Sequence, residues 1–264
     1  MVNISVILPT YNERDNILEM IESTNEVLKD ESVEIIVVDD NSPDQTSEVV
    51  KKATKRFSNL RLLTRTEDKG LVSSLRDGIR ISKGKICVWL DADLSMNPVL
   101  IKKLLKEIEQ GADIAIGSRY IEGGGIKGSN YDGSNTTLHE VWKNLYSSED
   151  SFYCVMISQL GNWAIRHILN PTYKDYTSGF YAVKRETLNE IELQGKYLEY
   201  CISLTYLAIL KGYKVVEVPI TLISRKHGKS KTALSTFSIL SIAYDCFKTA
   251  FLLRFNAKKG TFLK

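Results

Sequence analysis

Glu34-Ile35-Ile36-Val37-Val38-Asp39-Asp40-Asn41-Ser42-Pro43 is the stretch on which the fold turns. Ile35 to Val38 is apolar at four successive positions, as a strand must be when helices cover its sheet on both faces. The run stops at two acids. Ser42, Pro43 and Gln45 then read as a helix start: serine at the cap, proline in the first turn where no donor is needed, and glutamine three residues after the cap. The spacing predicts a helix from Pro43 to Phe57.

The same unit of strand, turn and helix recurs in both directions. Upstream, Val6-Ile7-Leu8 ends at Pro9, and apolar residues follow with helical spacing at Ile17, Met20, Ile21, Val27 and Leu28. Downstream, Leu62 and Leu63 mark a third strand, Leu71 to Ser82 a helix closed by Gly84, and Ile86 to Leu90 a fourth strand that again ends in acids, Asp91 and Asp93. Asn97 and Pro98 repeat the cap-and-proline start, and Val99, Ile101, Leu104, Leu105 and Ile108 supply a buried face before Gly111 ends the helix. Ile114 to Ile116 is a fifth strand, and Val215 to Val218, before Pro219, a last one. This alternation predicts an α/β fold: a mostly parallel sheet with right-handed crossovers and helices on both faces. Between Tyr120 and Ser151, glycine, serine, asparagine and aspartate crowd together, so residues 121–150 read as a long, mobile surface loop.

Composition agrees with a folded protein: 264 residues, 43% hydrophobic and 25% charged, suffice for a real core and exclude a disordered chain. The cysteines, Cys87, Cys154, Cys201 and Cys246, lie far apart without zinc spacing, so neither disulfides nor structural zinc are expected. Met1-Val2-Asn3-Ile4 enters a strand directly, without the basic start and apolar stretch of a secretory signal, which points to the cytoplasm. The net charge of +3 hides an asymmetry: the last 40 residues carry nine Lys/Arg against one acid, Asp245, a net +8 that leaves the preceding 224 at −5. A basic tail on an acidic body suits an anionic surface such as a membrane. It carries no recognised nucleic-acid-binding motif, so nucleic acid is not an expected partner.

In an open parallel sheet, ligands bind at the carboxyl ends of the strands, where loops diverge and helix N-termini converge. Asp91-Ala92-Asp93 sits at such an end, with the spacing at which two carboxylates of one turn reach one divalent cation, magnesium or manganese, whose other ligands are water and phosphate oxygens. Such an ion offsets the charge of a leaving diphosphate. A second acidic pair, Asp39 and Asp40, ends another strand. The turn after the first strand, Pro9-Thr10-Tyr11-Asn12-Glu13, has no glycine, which disfavours a dinucleotide-binding oxidoreductase, and no G-x-x-x-x-G-K-S/T phosphate loop occurs.

These residues resemble the family 2 glycosyltransferases of the GT-A fold, and among them the dolichol-phosphate mannosyltransferases and related polyprenyl-phosphate sugar transferases. The resemblance rests on Pro9-Thr10-Tyr11-Asn12-Glu13-Arg14, Val38-Asp39-Asp40-Asn41-Ser42-Pro43-Asp44, Asp91-Ala92-Asp93-Leu94-Ser95 and Gly117-Ser118-Arg119-Tyr120, each after a strand. It continues through Asp175-Tyr176-Thr177-Ser178-Gly179-Phe180 and Glu217-Val218-Pro219-Ile220 to Arg225 through Lys231. It implies nucleotide-sugar contacts at Pro9, Tyr11, Glu13, Val38, Asp40, Asp91, Ala92, Asp93, Arg119, Arg225 and Lys231, with Asp91 and Asp93 as metal ligands. The chemistry fits those roles: Pro9, Tyr11 and Val38 offer surface to a base, Glu13 and Asp40 accept hydrogen bonds from base or ribose, and Arg225 and Lys231 suit diphosphate oxygens.

The resemblance also implies inversion by direct attack of the acceptor on the anomeric carbon, with mannose from GDP-mannose moving to dolichyl or polyprenyl phosphate. A phosphate monoester, whose second pKa is ~6, is already largely ionised and needs little help from a base. Arg119 is the first candidate to hold two phosphorylated reactants together. A rival acceptor, a glycan or protein hydroxyl, requires a general base, for which Asp175 is the candidate. A third reading is a catalytically silent nucleotide-sugar-binding scaffold subunit. The chain departs from the pattern near Ser158, where Cys154 and Gln159 stand at places expected to be basic and Arg166, Lys127 or Lys143 are substitutes. It departs again at Lys229, where Glu is expected, and at Ser203, where an acid is usual and Glu199 lies one helical turn earlier.

The expected division is a catalytic domain over 1–231 and a basic amphipathic helix and tail over 232–264. From Leu234 to Phe255 a narrow polar stripe (Ser238, Ser241, Asp245, Lys248, Thr249) separates two apolar sides. Phe237, Leu240, Tyr244, Phe247 and Phe251 line one, and Ile239, Ile242, Cys246, Ala250 and Leu253 the other. Asp245 and Lys248 argue against a membrane crossing. The expectation is a helix lying in the lipid interface on the cytoplasmic side, ahead of one buried on the core or on a membrane or homo-oligomeric partner.

Overall fold

The computed structural model describes residues 2–126, 152–223 and 236–259. Among the described residues seven strands form one sheet: β1 (Ile4–Thr10), β2 (Val33–Asp39), β3 (Leu60–Thr64), β4 (Ile86–Trp89), β5 (Ile114–Ser118), β6 (Tyr181–Lys184) and β7 (Val215–Pro219). Their spatial order is β3-β2-β1-β4-β6-β5-β7. Every neighbouring pair is parallel except those of β6, which runs antiparallel to both β4 and β5. The mostly parallel α/β sheet read from the alternation is therefore what forms. β6 is the strand that the apolar pattern did not announce, being four residues long and followed at once by a helix.

Continuous apolar strands feed two cores. Ile35 and Val37 of β2 join α1 (Ile17–Val27), α2 (Thr46–Ala53) and α4 (Ile101–Glu109) on one face. Ile36 and Val38 join α3 (Leu71–Ile81) and α7 (Glu199–Leu210) on the other. A third cluster ties α7 to α5 (Phe152–Ile168) and α8 (Thr236–Lys258) through Ile165, Ile202, Tyr206, Cys246, Ala250 and Leu253. Being sandwiched between two clusters, α7 is apolar nearly all round. The remaining short helix, α6 (Arg185–Glu190), follows β6.

Two helix starts test the cap readings. At Asn97 the side chain accepts from Val99 N at 3.0 Å, and Pro98 opens a single 3₁₀ turn that leads into α4. At Ser42 the expectation fails. Its hydroxyl and amide both donate to Asp39, so Ser42 caps nothing, Gln45 takes a left-handed conformation (φ 69°), and α2 begins at Thr46. Asp44 does the capping, accepting from Thr46 N at 2.9 Å. α2 also stops at Ala53, short of Phe57.

Gly111 ends α4 as expected, with φ 93°. Gly84 serves a close approach instead, since a Cβ there would lie 2.6 Å from Ser5 N. Cys87, Cys201 and Cys246 are buried free thiols. Most of the stretch read as a long loop lies outside the described residues, as do Lys127, Lys143, Arg225, Lys229 and Lys231. Among the described residues no helix is long and apolar enough to cross a membrane.

Candidate active site

Parallel pairing puts the acidic turns after β2 and β4 at the same edge of the sheet, one on either side of β1. β1 and β2 pair with Pro9 opposite Val38 and Thr10 opposite Asp39, and β4 lies on the other side of β1. Among the described residues, five that are not glycine have positive φ (Asn12, Asn41, Gln45, Asp68 and Leu94), and all sit in segments that follow the carboxyl ends of β1 to β4. Strained backbone of this kind gathers where a scaffold is shaped for a ligand rather than for its own stability.

The two acids after β2 are built differently. Asp39 is fully buried and accepts from the Thr10 hydroxyl (2.9 Å), Ser42 N (3.0 Å) and the hydroxyls of Ser42 and Ser47, so it knots three segments together. Asp40 accepts from Arg65 Nη1 (2.6 Å), Ser74 Oγ (2.9 Å) and Gly70 N (2.7 Å), using three of roughly four acceptor sites. Arg65 is buried and also donates to Asp77 at 2.7 Å and to the Asp68 carbonyl at 2.5 Å. Burial opposes its charge, but the hydrogen bonds and attraction of Asp77 and Asp40 raise its pKa.

Around the β1 turn, Tyr11 is 43% exposed, so it faces the open edge and is no core aromatic. Glu13 is buried and accepts from Asn16 Nδ2 at 2.8 Å, while its amide donates to Thr46 Oγ1 at 3.0 Å. Pro9 is half-buried. The Val38 side chain lies wholly in the core, and its carbonyl accepts from Thr10.

Asp91 is half-buried, and Ala92 and Asp93 are buried. Asp93 accepts from Ser95 N at 3.0 Å, which closes the turn around Leu94 in the left-handed region, φ 62°. The Asp91 carboxyl oxygens lie 3.7 and 3.9 Å from where a Cβ on Gly179 would stand, so glycine there keeps one wall of the acid pair open. Under the turn, Trp89 stacks on Tyr181 at 5.1 Å and donates to Tyr200 Oη at 3.3 Å. No group of three or more His, Cys, Asp or Glu side chains among the described residues could hold a metal by itself. Two carboxylates at a strand end are hard oxygen donors, and they suit a cation whose other ligands are water and phosphate.

Arg119, just past β5, meets Asp175 across 56 residues of sequence. Its Nε and Nη2 donate to the two carboxylate oxygens at 2.8 and 2.7 Å, and its amide adds a third bond at 3.0 Å. The pair is enclosed, with the Arg119 side chain 11% and the Asp175 side chain 0% exposed. Burial disfavours the Arg119 charge, but the adjoining Asp175 carboxylate more than offsets it and the pKa is raised. Thr177 N also donates to Asp175, at 3.1 Å. The Arg119 guanidinium lies 5.0 Å from the Tyr120 ring centroid, and Ser158 of α5 hydrogen-bonds Tyr120.

Glu217 of β7 anchors this constellation. It accepts from Ser118 Oγ (2.7 Å), Asp175 N (2.9 Å) and Lys174 N (2.9 Å), fixing both ends of the Arg119–Asp175 contact. In the sequence it stands as an acid inside an apolar strand, within the Glu217-Val218-Pro219-Ile220 motif, with no role assigned to it. Of the other positions singled out, Glu199 accepts from Tyr197 N at 2.8 Å at the start of α7, and Ser203 bonds back to the carbonyls of its own helix. Arg166 lies on α5 with a buried Nε that has no hydrogen-bond partner.

The chain as a whole is similar to named proteins. The profile described as glycosyl transferase family 2 matches residues 5–191. The chain belongs to glycosyl transferase family 2. A dolichol-phosphate mannosyltransferase of Pyrococcus furiosus is 36% identical over 94% of this chain, and this chain spans 64% of that protein's length. A polyprenol monophosphomannose synthase of Mycolicibacterium smegmatis is 34% identical over 86% of this chain and 79% of its own. Among solved structures, glucosyl-3-phosphoglycerate synthase of Mycobacterium tuberculosis, in complex with Mn2+, UDP and phosphoglyceric acid, superposes with a TM-score of 0.68. Identity is 18%, with 96% of this chain and 78% of that one covered. The same enzyme with Mg2+ and UDP gives a TM-score of 0.65 over 96% of this chain and 79% of that one, again at 18% identity. These likenesses bear out the GT-A fold and the family 2 membership that the motifs implied.

Proposed function

We propose that this family 2 glycosyltransferase moves a hexose, with mannose from GDP-mannose the favoured donor, onto the phosphate of a dolichyl or polyprenyl phosphate at the cytoplasmic face of a membrane. The names of the two relatives support the acceptor. The observation that carries it is the state of Asp175: its carboxylate is taken up by Arg119 and Thr177 and is shut away from solvent. A general base needs an accessible lone pair within reach of the proton it takes. Asp175 offers none, which fits an acceptor that arrives already ionised.

In this reading an acceptor phosphate oxygen attacks the anomeric carbon from the side opposite the nucleotide. The bond from that carbon to the diphosphate oxygen breaks, its electron pair leaves with the nucleoside diphosphate, and the configuration inverts. Tyr11 and Pro9 flank the base, Glu13 and the remaining acceptor site of Asp40 receive its or the ribose's donors, and Arg225 and Lys231 hold diphosphate oxygens. Asp91 and Asp93 would hold Mg2+ or Mn2+, which supplies charge stabilisation to the departing diphosphate. Arg119, fixed on one edge by Asp175, turns its remaining Nη1 edge to an anionic oxygen. The protein's contribution is thus mostly positioning and electrostatic stabilisation.

The test is transfer of radiolabelled sugar from GDP-mannose, UDP-glucose and related donors into extractable polyprenyl phosphate, with metal and with chelator. Metal-dependent label in the lipid supports the reading and names the donor. Label in a glycan or protein hydroxyl, or donor binding with no transfer to any acceptor, overturns it in favour of the hydroxyl acceptor or the silent scaffold.

A further inference from the structure

Asp175 belongs to no strand or helix, and the backbone around it is held by side chains. Glu217 accepts from Lys174 N and Asp175 N. A second hold comes from Asn162 of α5, which is buried. Its Nδ2 donates to the Lys174 carbonyl at 2.6 Å, and its Oδ1 accepts from Tyr176 N at 2.9 Å. A carboxamide presents donor and acceptor side by side, as the edge of a neighbouring strand does. Asn162 therefore grips the residue before Asp175 and the residue after it. The same helix reaches the other half of the ion pair. Ser158, one helical turn before Asn162 and on the same face of α5, hydrogen-bonds Tyr120, the residue after Arg119.

We propose that Asn162 is a positioning residue, acting through Asp175 to fix where the Arg119 guanidinium stands; its consequence for catalysis rests on the phosphate-acceptor reading. Arg119 has little freedom of its own. Its amide, Nε and Nη2 all donate to the Asp175 carboxylate, and Nη2 also donates to Thr177 Oγ1 at 2.8 Å. The guanidinium therefore goes where that carboxylate goes, and the carboxylate goes where residues 174–176 are held. Glu217 supplies the hold from the sheet, since it also bonds Ser118. Asn162 supplies the hold from the helix.

Removing the carboxamide leaves the Lys174 carbonyl and the Tyr176 amide without their partner, and Tyr176 is fully buried. Groups so stranded are costly, and the segment shifts to recover their bonds. The carboxylate of Asp175 travels with that shift and takes Arg119 along. An acceptor phosphate in line with the anomeric carbon tolerates little of this, because a displacement of about 1 Å can slow a positioned reaction on the order of a hundredfold. The donor suffers less, since Tyr11, Glu13 and Asp40 lie on β1 and β2 and keep their own supports.

The test is NMR of the arginine Nε–H groups of the full chain, joined to transfer kinetics. Arg119 is assigned from the signal lost in Arg119→Lys, and Arg65, whose Nε donates to Asp77 at 2.7 Å, from Arg65→Lys. In Asn162→Ala the Arg119 Nε–H is expected to shift and to exchange with water several-fold faster, while Arg65 keeps its wild-type signal and rate. The KM for detergent-dispersed polyprenyl phosphate should rise on the order of tenfold, more than that for the donor. Asn162→Ser, which keeps a hydroxyl for one of the two stranded groups, carries the test if Asn162→Ala does not fold. A merely structural role speeds exchange at both arginines alike and raises both KM values together, and that result overturns the proposal. An unmoved Arg119 signal overturns it too. A wild type that transfers nothing to polyprenyl phosphate sinks the acceptor reading instead, and the Arg119 signal then decides by itself whether Asn162 positions the guanidinium.

Discussion

Replacing Asp175 with asparagine separates a residue that positions from one that takes a proton. Asp175 receives Arg119 N and Nε on one oxygen, at 3.0 and 2.8 Å, and Arg119 Nη2 and Thr177 N on the other, at 2.7 and 3.1 Å. Asparagine keeps one acceptor oxygen and turns an NH2 group toward the other two donors, in a place closed to water. Breaking one partner out of a buried ion pair costs about 3–5 kcal/mol, chiefly because the surviving charge is left uncompensated. At ~2–4 °C per kcal/mol for a domain of this size, the melting temperature should drop by about 6 °C or more. Calorimetry reads that drop, and transfer assays well below the new midpoint should show loss of activity together with it, since Arg119 loses its anchor. Arg119→Ala should match it in both respects. If Asp175→Asn melts within a degree of wild type yet abolishes transfer, Asp175 is acting as a base and the positioning argument is refuted.

Two further outcomes follow from the buried networks. Arg65→Lys replaces a fork serving Asp40, Asp77 and the Asp68 carbonyl with a single point donor. The KM for the donor should rise several-fold with a fall of a few degrees in melting temperature, and an unchanged KM would count against Asp40 as a nucleotide contact. The second concerns acid. Burial would raise the Glu34 pKa, but bonds from Ser5, Lys83 N and Arg61 prevail and hold it below its ordinary 4.5. A depressed carboxylate stabilises the fold above the unfolded pKa and loses that contribution as pH falls through the folded value. Melting curves taken down to about pH 3 should therefore fall more steeply for wild type than for Glu34→Gln below 4.5; parallel curves would contradict the assignment.

What could be seen in the sequence was whatever is local. Runs such as Ile35 to Val38 are buried on both faces by the strand's own periodicity, so six strands and the parallel sheet were legible. β6 was not, because Tyr181–Lys184 owes its place to neighbours on either side of an antiparallel insertion. The Ser42-Pro43 start was misread because Asp39, three residues away, recruits both the hydroxyl and the amide of Ser42, a competition that propensity does not register. On α8 both apolar sides were visible, but only packing decides which is buried. The site divides in the same way. Asp91 and Asp93 share one turn and stood out by spacing. Arg119 meets Asp175 at a separation of 56 residues, and Ser118 meets Glu217 at 99, so the clamp and its anchor exist only once the sheet has formed. The resemblance supplied Arg119 as a candidate; that Asp175 is its partner was left to the fold to reveal.

The most direct measurement follows both products of one reaction: nucleoside diphosphate released from GDP-mannose with Mn2+ or Mg2+ present, and mannosyl lipid formed from polyprenyl phosphate, for wild type and Asp93→Asn. The account predicts equal amounts of the two products from wild type, and neither from Asp93→Asn or after chelation, while the variant still melts cooperatively. Diphosphate release without mannosyl lipid, or undiminished transfer by Asp93→Asn, would contradict it.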